Sequence, residues 1–137
     1  MKKLILLLFP LLLFGAGCED ETKLSDFIVG TWKSQELRMG DSPLGVMTAV
    51  IRADNTYVVT FTPTLPTAFP FLTALPAAYT IDNDNNQITI DEPDWPGDNV
   101  IPTGRETFAV EWNEDNPVMI WHALTEGPPP TITFTRQ

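Results

Sequence analysis

Few side chains in this sequence could carry out chemistry. It contains one cysteine, Cys18, and one histidine, His122, and it has neither a GxSxG motif nor a zinc-type cluster. His122 follows Trp121 in an alternating segment, where a histidine usually has a structural role. An enzyme would need carboxylates such as Glu36 and Glu111 to converge in a pocket, and nothing in the sequence requires that. We therefore predict a non-catalytic protein without a cofactor.

Two acidic segments are candidates for binding a metal ion. DNDNN at residues 82–86 resembles the start of a calcium loop, but Gln87 stands where that loop has glycine and Pro93 where it has its closing glutamate. We therefore predict a hairpin turn there. The segment 91–99 carries four carboxylates, and we expect a solvated acidic loop, with weak calcium binding left open. No metal site is predicted.

The N-terminus has the three parts of an export signal. Lys2 and Lys3 form a basic start, residues 4–14 form an apolar core, and the small residues 15–17 precede Cys18. The core is too short to span a bilayer, which needs about 20 apolar residues. We expect residues 1–17 to be a cleaved signal peptide outside the folded domain.

Small residues followed directly by cysteine resemble the lipobox of bacterial lipoproteins, although Gly15 replaces the leucine usual at its position. In that family the cysteine thiol takes a diacylglycerol, the chain is cut before it, and the new N-terminus is acylated, for example with palmitate. The resemblance predicts a lipid anchor on Cys18. The alternative is ordinary signal-peptidase cleavage after Gly17, which would give a soluble secreted protein with a free thiol.

The residues after Cys18 indicate a location. Lipoproteins of the inner membrane typically have aspartate directly after the cysteine, whereas Glu19 stands here, so the resemblance implies the outer membrane of a Gram-negative cell. The acidic run 19–21 also resembles a surface-export signal, and the choice between the periplasmic face and the cell surface stays open. Residues 19–26 would form a tether of at most about 28 Å.

Length and charge restrict the rest of the chain, residues 27–137, to one acidic domain. The net charge is −10, and loss of Lys2 and Lys3 with the signal peptide makes it −12. Such a surface repels the phosphates of nucleic acids and anionic lipids, so nucleic acid is not an expected partner. We expect a monomer.

From residue 27 onward, apolar and polar residues alternate with a period of two, which predicts β-strands. Clear examples are TYVVTF, QITID, TFAVEW and TITFTR. About eight strands are predicted, at residues 31–39, 46–52, 56–61, 78–81, 87–91, 107–112, 118–124 and 131–136. One short helix is a candidate at residues 24–29. Many short antiparallel strands separated by turn residues predict an all-β barrel or sandwich.

FIVGTWKSQEL, IRADNTYVVTF and TITFTRQ resemble the opening segment, the second hairpin and the closing strand of lipocalin-like domains. The resemblance covers residues 27–137 and implies a small up-and-down barrel of about eight strands. It also implies that Trp32, in the motif that begins with Gly30, closes one end of the barrel and that Arg136 lies across it. A guanidinium over an indole gives a cation–π contact of about 1–2 kcal/mol when shielded from water.

Eight-stranded barrels either fill with side chains or enclose one small molecule. The predicted inward faces carry enough aromatic residues to favour a filled or nearly filled barrel: Trp32, Tyr57, Phe61, Phe108, Trp112 and Phe134. The face of Trp32 also carries Glu36 and Arg38. These two side chains could orient a ligand or form an ion pair at a solvated rim, and we favour the ion pair.

Residues 62–77 form an uncharged segment with four prolines, which predicts a loop. Leu65, Phe69 and Phe71 make this loop too apolar to be fully solvated. It is either a lid or contact surface, or a covering loop packed against the edge of the barrel. The two interpretations are equally favoured.

These patterns predict an outer-membrane lipoprotein whose barrel domain binds a small apolar ligand. The candidate ligand contacts are Glu36, Arg38, Tyr57, Leu65, Phe69, Phe71 and Tyr79. The alternative is an interaction or structural module, such as an inhibitor or an envelope-assembly partner, with a filled barrel and the loop 62–77 as its contact surface. A retained ligand or a bound protein partner would discriminate between the two.

Overall fold

The computed structural model describes residues 22–65, 72–97, 104–124 and 131–137. Within these residues the chain forms one short helix, α1 (Leu24–Phe27), and ten strands. The strands are β1 (Gly30–Ser34), β2 (Leu37–Met39), β3 (Ser42–Ile51), β4 (Thr56–Pro63), β5 (Leu72–Thr73), β6 (Ala77–Asp82), β7 (Gln87–Asp91), β8 (Arg105–Asn113), β9 (Asn116–Ala123) and β10 (Thr131–Arg136).

Eight of these strands form a closed antiparallel barrel in the order β1, β3, β4, β6, β7, β8, β9 and β10, and β10 pairs back with β1. Each barrel strand lies next to the one that follows it along the chain, so the topology is up-and-down. The two extra strands are short: β2 pairs with β3, and β5 pairs with β4. The prediction of an all-β antiparallel barrel of about eight strands is therefore confirmed.

The predicted strand boundaries differ from the structure mainly in three places: β3 begins at Ser42 instead of residue 46, β5 lies within the predicted loop 62–77, and the first predicted strand is broken near residue 35. The segment 31–39 was predicted as one strand, but β1 ends at Ser34 and β2 begins at Leu37. Gln35 still bonds to β10, because its backbone N–H donates to Thr133 O at 2.9 Å and its side-chain oxygen accepts from Thr133 N at 2.7 Å. After it, β2 bends away to pair with β3 through an irregular register.

Alternate side chains of the strands point inward and form one apolar core. In β4, Tyr57 and Val59 are buried, whereas Val58 between them is only half-buried. Of the six aromatic residues predicted to face inward, four are buried and two, Phe61 and Trp112, are half-buried. The inward face of β9 adds Met119 and Trp121, which are also buried.

The two ends of the barrel are built differently. At one end, Gly30 pairs with Ile51, α1 lies near the turns that follow β3 and β6, and Thr22 just before α1 bonds to the turn that follows β8. We call this the closed end. The opposite end, which we call the mouth, carries the β2–β3 hairpin and the segments that follow β4, β7 and β9. Within the described residues, α1 is far shorter than a bilayer-spanning helix, and none of them forms a helix suited to cross a membrane.

Candidate functional site

The closed end is filled by one tryptophan and its neighbours. Trp32 is fully buried, and its indole N–H donates to Ile28 O at 2.7 Å. The ring of Phe27, at the end of α1, lies 5.5 Å from the Trp32 ring and 4.6 Å from that of Trp112. Leu24 and Ile28 lie one helical turn apart, and both are buried in the core. Their burial holds α1 against this end of the barrel.

Arg136 covers this aromatic cluster. Antiparallel pairing of β1 with β10 sets it directly opposite Trp32, and its guanidinium carbon lies 4.5 Å from the Trp32 ring centre and 5.1 Å from that of Phe27. The guanidinium also donates to Phe27 O and, at 3.5 Å, to Val29 O. Gly30 beside it has a φ of +146°, a conformation that L side chains rarely adopt. These contacts close this end of the barrel and provide the guanidinium with hydrogen-bond acceptors.

Toward the mouth, the interior is not completely filled. It leaves a cavity of about 170 Å³ whose walls come from six strands and from the segment after β7. Fourteen described residues line it: Met47, Ala49, Ile51, Tyr57, Val59, Ile88, Ile90, Pro93, Trp95, Glu106, Phe108, Trp121, Ile132 and Phe134. Among these described residues, Glu106 is the only carboxylate, so the cavity is a largely apolar space with one anionic side chain.

Tyr57 is the one sequence-predicted ligand contact, among the described residues, that lines the cavity. Its hydroxyl donates to Asp91 O at the end of β7. Burial, followed by the negative charges of Asp91 and Glu92, raises the pKa of Tyr57 well above its usual value. The phenol therefore stays neutral and serves as a fixed part of the wall.

Two chain segments lie across the mouth. Pro93 and Trp95, which follow β7, form part of the cavity wall. Leu75 N donates to Asp94 O at 2.8 Å, and Ala74 N donates to Val59 O at 2.9 Å. The segment around Ala74 is thus bonded to the middle of β4 on one side and to the segment around Trp95 on the other.

Glu106 lies where the cavity meets the surface. In β8 it precedes the buried residues Phe108 and Val110 by two and four positions, so all three share the inward face. It pairs in register with Ile90 of β7. It also lines a groove of about 270 Å³ next to the mouth, whose other lining residues are Ile90, Glu92, Pro93, Gly104 and Arg105. We call this the acidic groove.

No protein-family model, curated protein or solved structure matches this chain. What the cavity can hold is therefore inferred from its own residues.

The other predicted ligand contacts lie away from the cavity. Glu36 and Arg38 form an exposed ion pair with 3.0 Å between Nη2 and Oε2, and Glu36 also accepts from Thr64 Oγ1 at 3.3 Å. Tyr79 is buried toward the closed end, where its hydroxyl donates to Arg52 O. Burial, and then the charge of Asp54, raises the pKa of this phenol.

The predicted contacts in the apolar loop are only partly described. The side chain of Leu65 is 58% exposed, and the cavity-lining set does not include it. Phe69 and Phe71 lie outside the described residues, as does the predicted lipid attachment site, Cys18.

Residues considered for catalysis or metal binding have structural partners. His122 Nε2 lies 3.1 Å from Glu111 Oε2 in a largely exposed pair on the outer face of the barrel. Asp82 accepts several hydrogen bonds, and the one from the side chain of Asn85 has the largest effect on its pKa. Together these bonds hold the pKa of Asp82 below its usual value and stabilise the predicted turn. Asp91 forms an ion pair with Arg105 at 2.8 Å. No group of three potential metal ligands occurs in the part of the chain that the structure describes.

The sequence interpretation placed Tyr57, Phe108 and Phe134 on inward faces but did not identify most of the other cavity residues as site residues, and three of particular interest are Trp95, Glu106 and Trp121. Two of them had a usable signal. Glu106 continues the alternation of Phe108 and Val110 by one step, and Trp121 alternates with Met119. Trp95 had none, because it lies in an irregular segment between prolines, and only the tertiary structure brings it to the cavity.

Proposed function

We propose that this chain is a non-catalytic binding protein that holds one small apolar ligand inside its barrel. The observation that carries the proposal is the cavity of about 170 Å³ with its largely apolar lining. An engineered apolar cavity of about 150 Å³ stays dry and binds benzene. Drug-sized ligands usually occupy about 300–1,000 Å³, so the ligand proposed here is a single ring or a short branched chain.

The closed end and the mouth give the cavity one direction of access. Trp32, Phe27 and Arg136 seal the closed end through packed rings and hydrogen bonds. At the mouth, Trp95 is half-buried and borders both the cavity and the surrounding loops. Displacement of this covering segment is the proposed route of entry, and burial of the ligand's apolar surface would supply most of its binding free energy.

We further propose that the protein is anchored in the outer membrane through a lipid on Cys18. The support is the lipobox-like sequence together with the place where the chain enters the fold. Thr22 N donates to Glu114 Oε1 at 2.9 Å, at the closed end, and the four residue steps between Cys18 and Thr22 span at most about 14 Å. In this arrangement the closed end stays near the membrane and the mouth faces away from it.

The variant Cys18→Ser tests the anchor. We expect it to lose incorporation of labelled palmitate and to stop fractionating with the outer membrane, because the thiol is the proposed attachment atom. A variant that keeps both the label and the fractionation would contradict the anchor while leaving the cavity proposal intact.

The cavity proposal is tested by native mass spectrometry of the full-length protein purified from the envelope of its own cells. We expect a small molecule to be retained by the wild type and lost from Ala49→Phe, because Ala49 lines the cavity and is only 5% exposed. Val50→Phe is the matched control, since Val50 faces away from the cavity. Retention by Ala49→Phe, or an unliganded wild type, would contradict the proposal.

A second candidate function, contact with a protein partner through the mouth, is favoured by one observation. Four large apolar side chains near the mouth are 53–70% exposed: Met39, Leu65, Leu75 and Leu124. Exposed apolar groups of this kind often mark interaction sites. Loss of a copurifying protein from a Leu65→Ser, Leu75→Ser variant, with no change in any retained small molecule, would support this candidate.

A further inference from the structure

Among the described residues that line the cavity, Glu106 is the one carboxylate, and it belongs to two spaces at once. It lines the cavity together with Phe108 and Trp95, and it lines the acidic groove together with Glu92. A ligand whose apolar part fills the cavity would therefore have its other end next to Glu106, at the border with solvent.

The chemistry of a carboxylate limits what that end of the ligand can be. An ionised glutamate only accepts hydrogen bonds, and its two oxygens have about four lone-pair positions. It can therefore take a further donor from a ligand in addition to partners within the protein. A protonated amine is the strongest such donor, because a charge-assisted hydrogen bond is roughly twice as strong as a neutral one.

The surroundings of Glu106 also favour a cation. Glu92 is a second carboxylate in the groove, and its Oε2 accepts from Gly104 N at 3.2 Å. Arg105 is the cation of the groove, but its Nε lies 2.8 Å from Asp91 Oδ1, and its side chain is 76% exposed. Among the described residues that line the groove, two carboxylates, Glu92 and Glu106, therefore accompany one guanidinium, which is directed to Asp91.

Two further features act in the same direction. Burial is the main cause of the raised pKa of Tyr57, and the negative charges of Asp91 and then Glu92 add to it, so the side of the cavity near Tyr57 favours positive charge. The Trp95 indole also lines the cavity, and a cation near an aromatic face is stabilised by the ring quadrupole. The net charge of −10 adds a long-range attraction for cations.

We propose that the ligand is a small apolar amine, whose hydrocarbon part fills the cavity and whose protonated nitrogen donates to Glu106. This inference rests on the proposed binding function and specifies its ligand class. It also excludes carboxylic acids as ligands, because a carboxylate of the same shape would place a further negative charge next to Glu106 and Glu92.

Three probes of nearly equal size test the proposal by isothermal titration of the full-length protein: benzylamine, benzyl alcohol and benzoate. Each has one ring for the cavity, and they differ in the charge and donors of the attached group. We expect benzylamine to bind about tenfold more tightly than benzyl alcohol, the ratio that one charge-assisted hydrogen bond can provide. Benzoate should bind most weakly.

The variant Glu106→Gln should remove the preference for benzylamine while benzyl alcohol still binds. Glu111→Gln is the matched control, because it removes one carboxylate from the same strand but from the outer face, where Glu111 pairs with His122. If Glu111→Gln weakens benzylamine as much as Glu106→Gln does, the preference is a net-charge effect and the proposal is overturned.

The outcomes separate this inference from the binding function on which it rests. Equal affinities for the three probes, or tighter binding of benzoate, would overturn the amine proposal and leave an apolar binding protein. No binding of any probe would overturn both. A benzylamine preference that Glu106→Gln abolishes and Glu111→Gln preserves would support both.

Discussion

Trp32 at the closed end and Trp95 at the mouth show how differently one barrel treats its two ends. Trp32 is completely buried, its N–H donates to Ile28 O, and a guanidinium lies over its ring. Trp95 is half-buried, comes from an irregular segment and borders a cavity. The same alternating strands connect the two ends, so the difference comes from the segments that cover them.

The charged residue at each end shows the same contrast. Arg136 at the closed end donates to Phe27 O and Val29 O and lies over two aromatic rings. Its positive charge therefore stabilises the fold. Glu106 at the mouth lies between an apolar cavity and a groove with further negative charge. From this contrast we infer that stability is concentrated at the closed end and binding at the mouth.

The largest effect expected from this contrast follows the loss of Trp32. Trp32→Ala should lower the free energy of unfolding by about 3–5 kcal/mol, as for other large buried aromatics. Trp95→Ala is the matched control at the mouth and should lower it clearly less, because Trp95 is only half-buried. Urea unfolding followed by circular dichroism measures the loss of unfolding free energy for both variants. Equal losses would contradict the inference that stability is concentrated at the closed end.

Arg136→Ala should have an intermediate effect. We expect a loss of about 1–3 kcal/mol, since hydrogen bonds from a charged donor and a cation–π contact are removed together. Arg105→Ala, which breaks an exposed ion pair at the mouth, should cost less than about 1 kcal/mol. If the losses of Trp32→Ala and Arg136→Ala simply add in the double variant, the proposed coupling of these two side chains is wrong.

The smallest effect on stability is expected at the exposed apolar residues of the mouth. Leu65→Ser and Leu75→Ser should each change the free energy of unfolding by no more than about 0.5 kcal/mol, because both side chains are more than half exposed. The same substitution at Leu24, which is 1% exposed at the closed end, should cost several times more. Equal losses at the three leucines, measured by thermal unfolding, would show that the leucines of the mouth belong to the core.

The sequence predicts the barrel well because its strands alternate cleanly. QITID and TITFTR coincide with β7 and β10, and the turn after Asp82 is where its composition indicated. The break at Gln35 was not predictable in the same way, because this residue keeps the alternation of the strand. Its side-chain oxygen accepts the hydrogen bond from Thr133 N, and only the folded structure shows this contact.

The candidate site was harder to predict than the fold. Glu36 and Arg38 alternate correctly with Trp32, but the bend between β1 and β2 leaves them in a surface ion pair. A cavity is a difference between the volume of the barrel and the volume of its side chains, and alternation alone does not give that difference. For this reason the sequence indicated that aromatic residues face inward but not that space remains between them.

The most direct test of a binding mouth and a structural closed end is a methyl NMR titration of the full-length protein with toluene. We predict saturable shifts for the methyl groups of Ile88 and Ile132, which line the cavity, and none for Ile28, which is buried at the closed end. Ala49→Phe should abolish the shifts and Val50→Phe should preserve them. Unchanged spectra, or shifts of equal size at Ile28, would contradict the account.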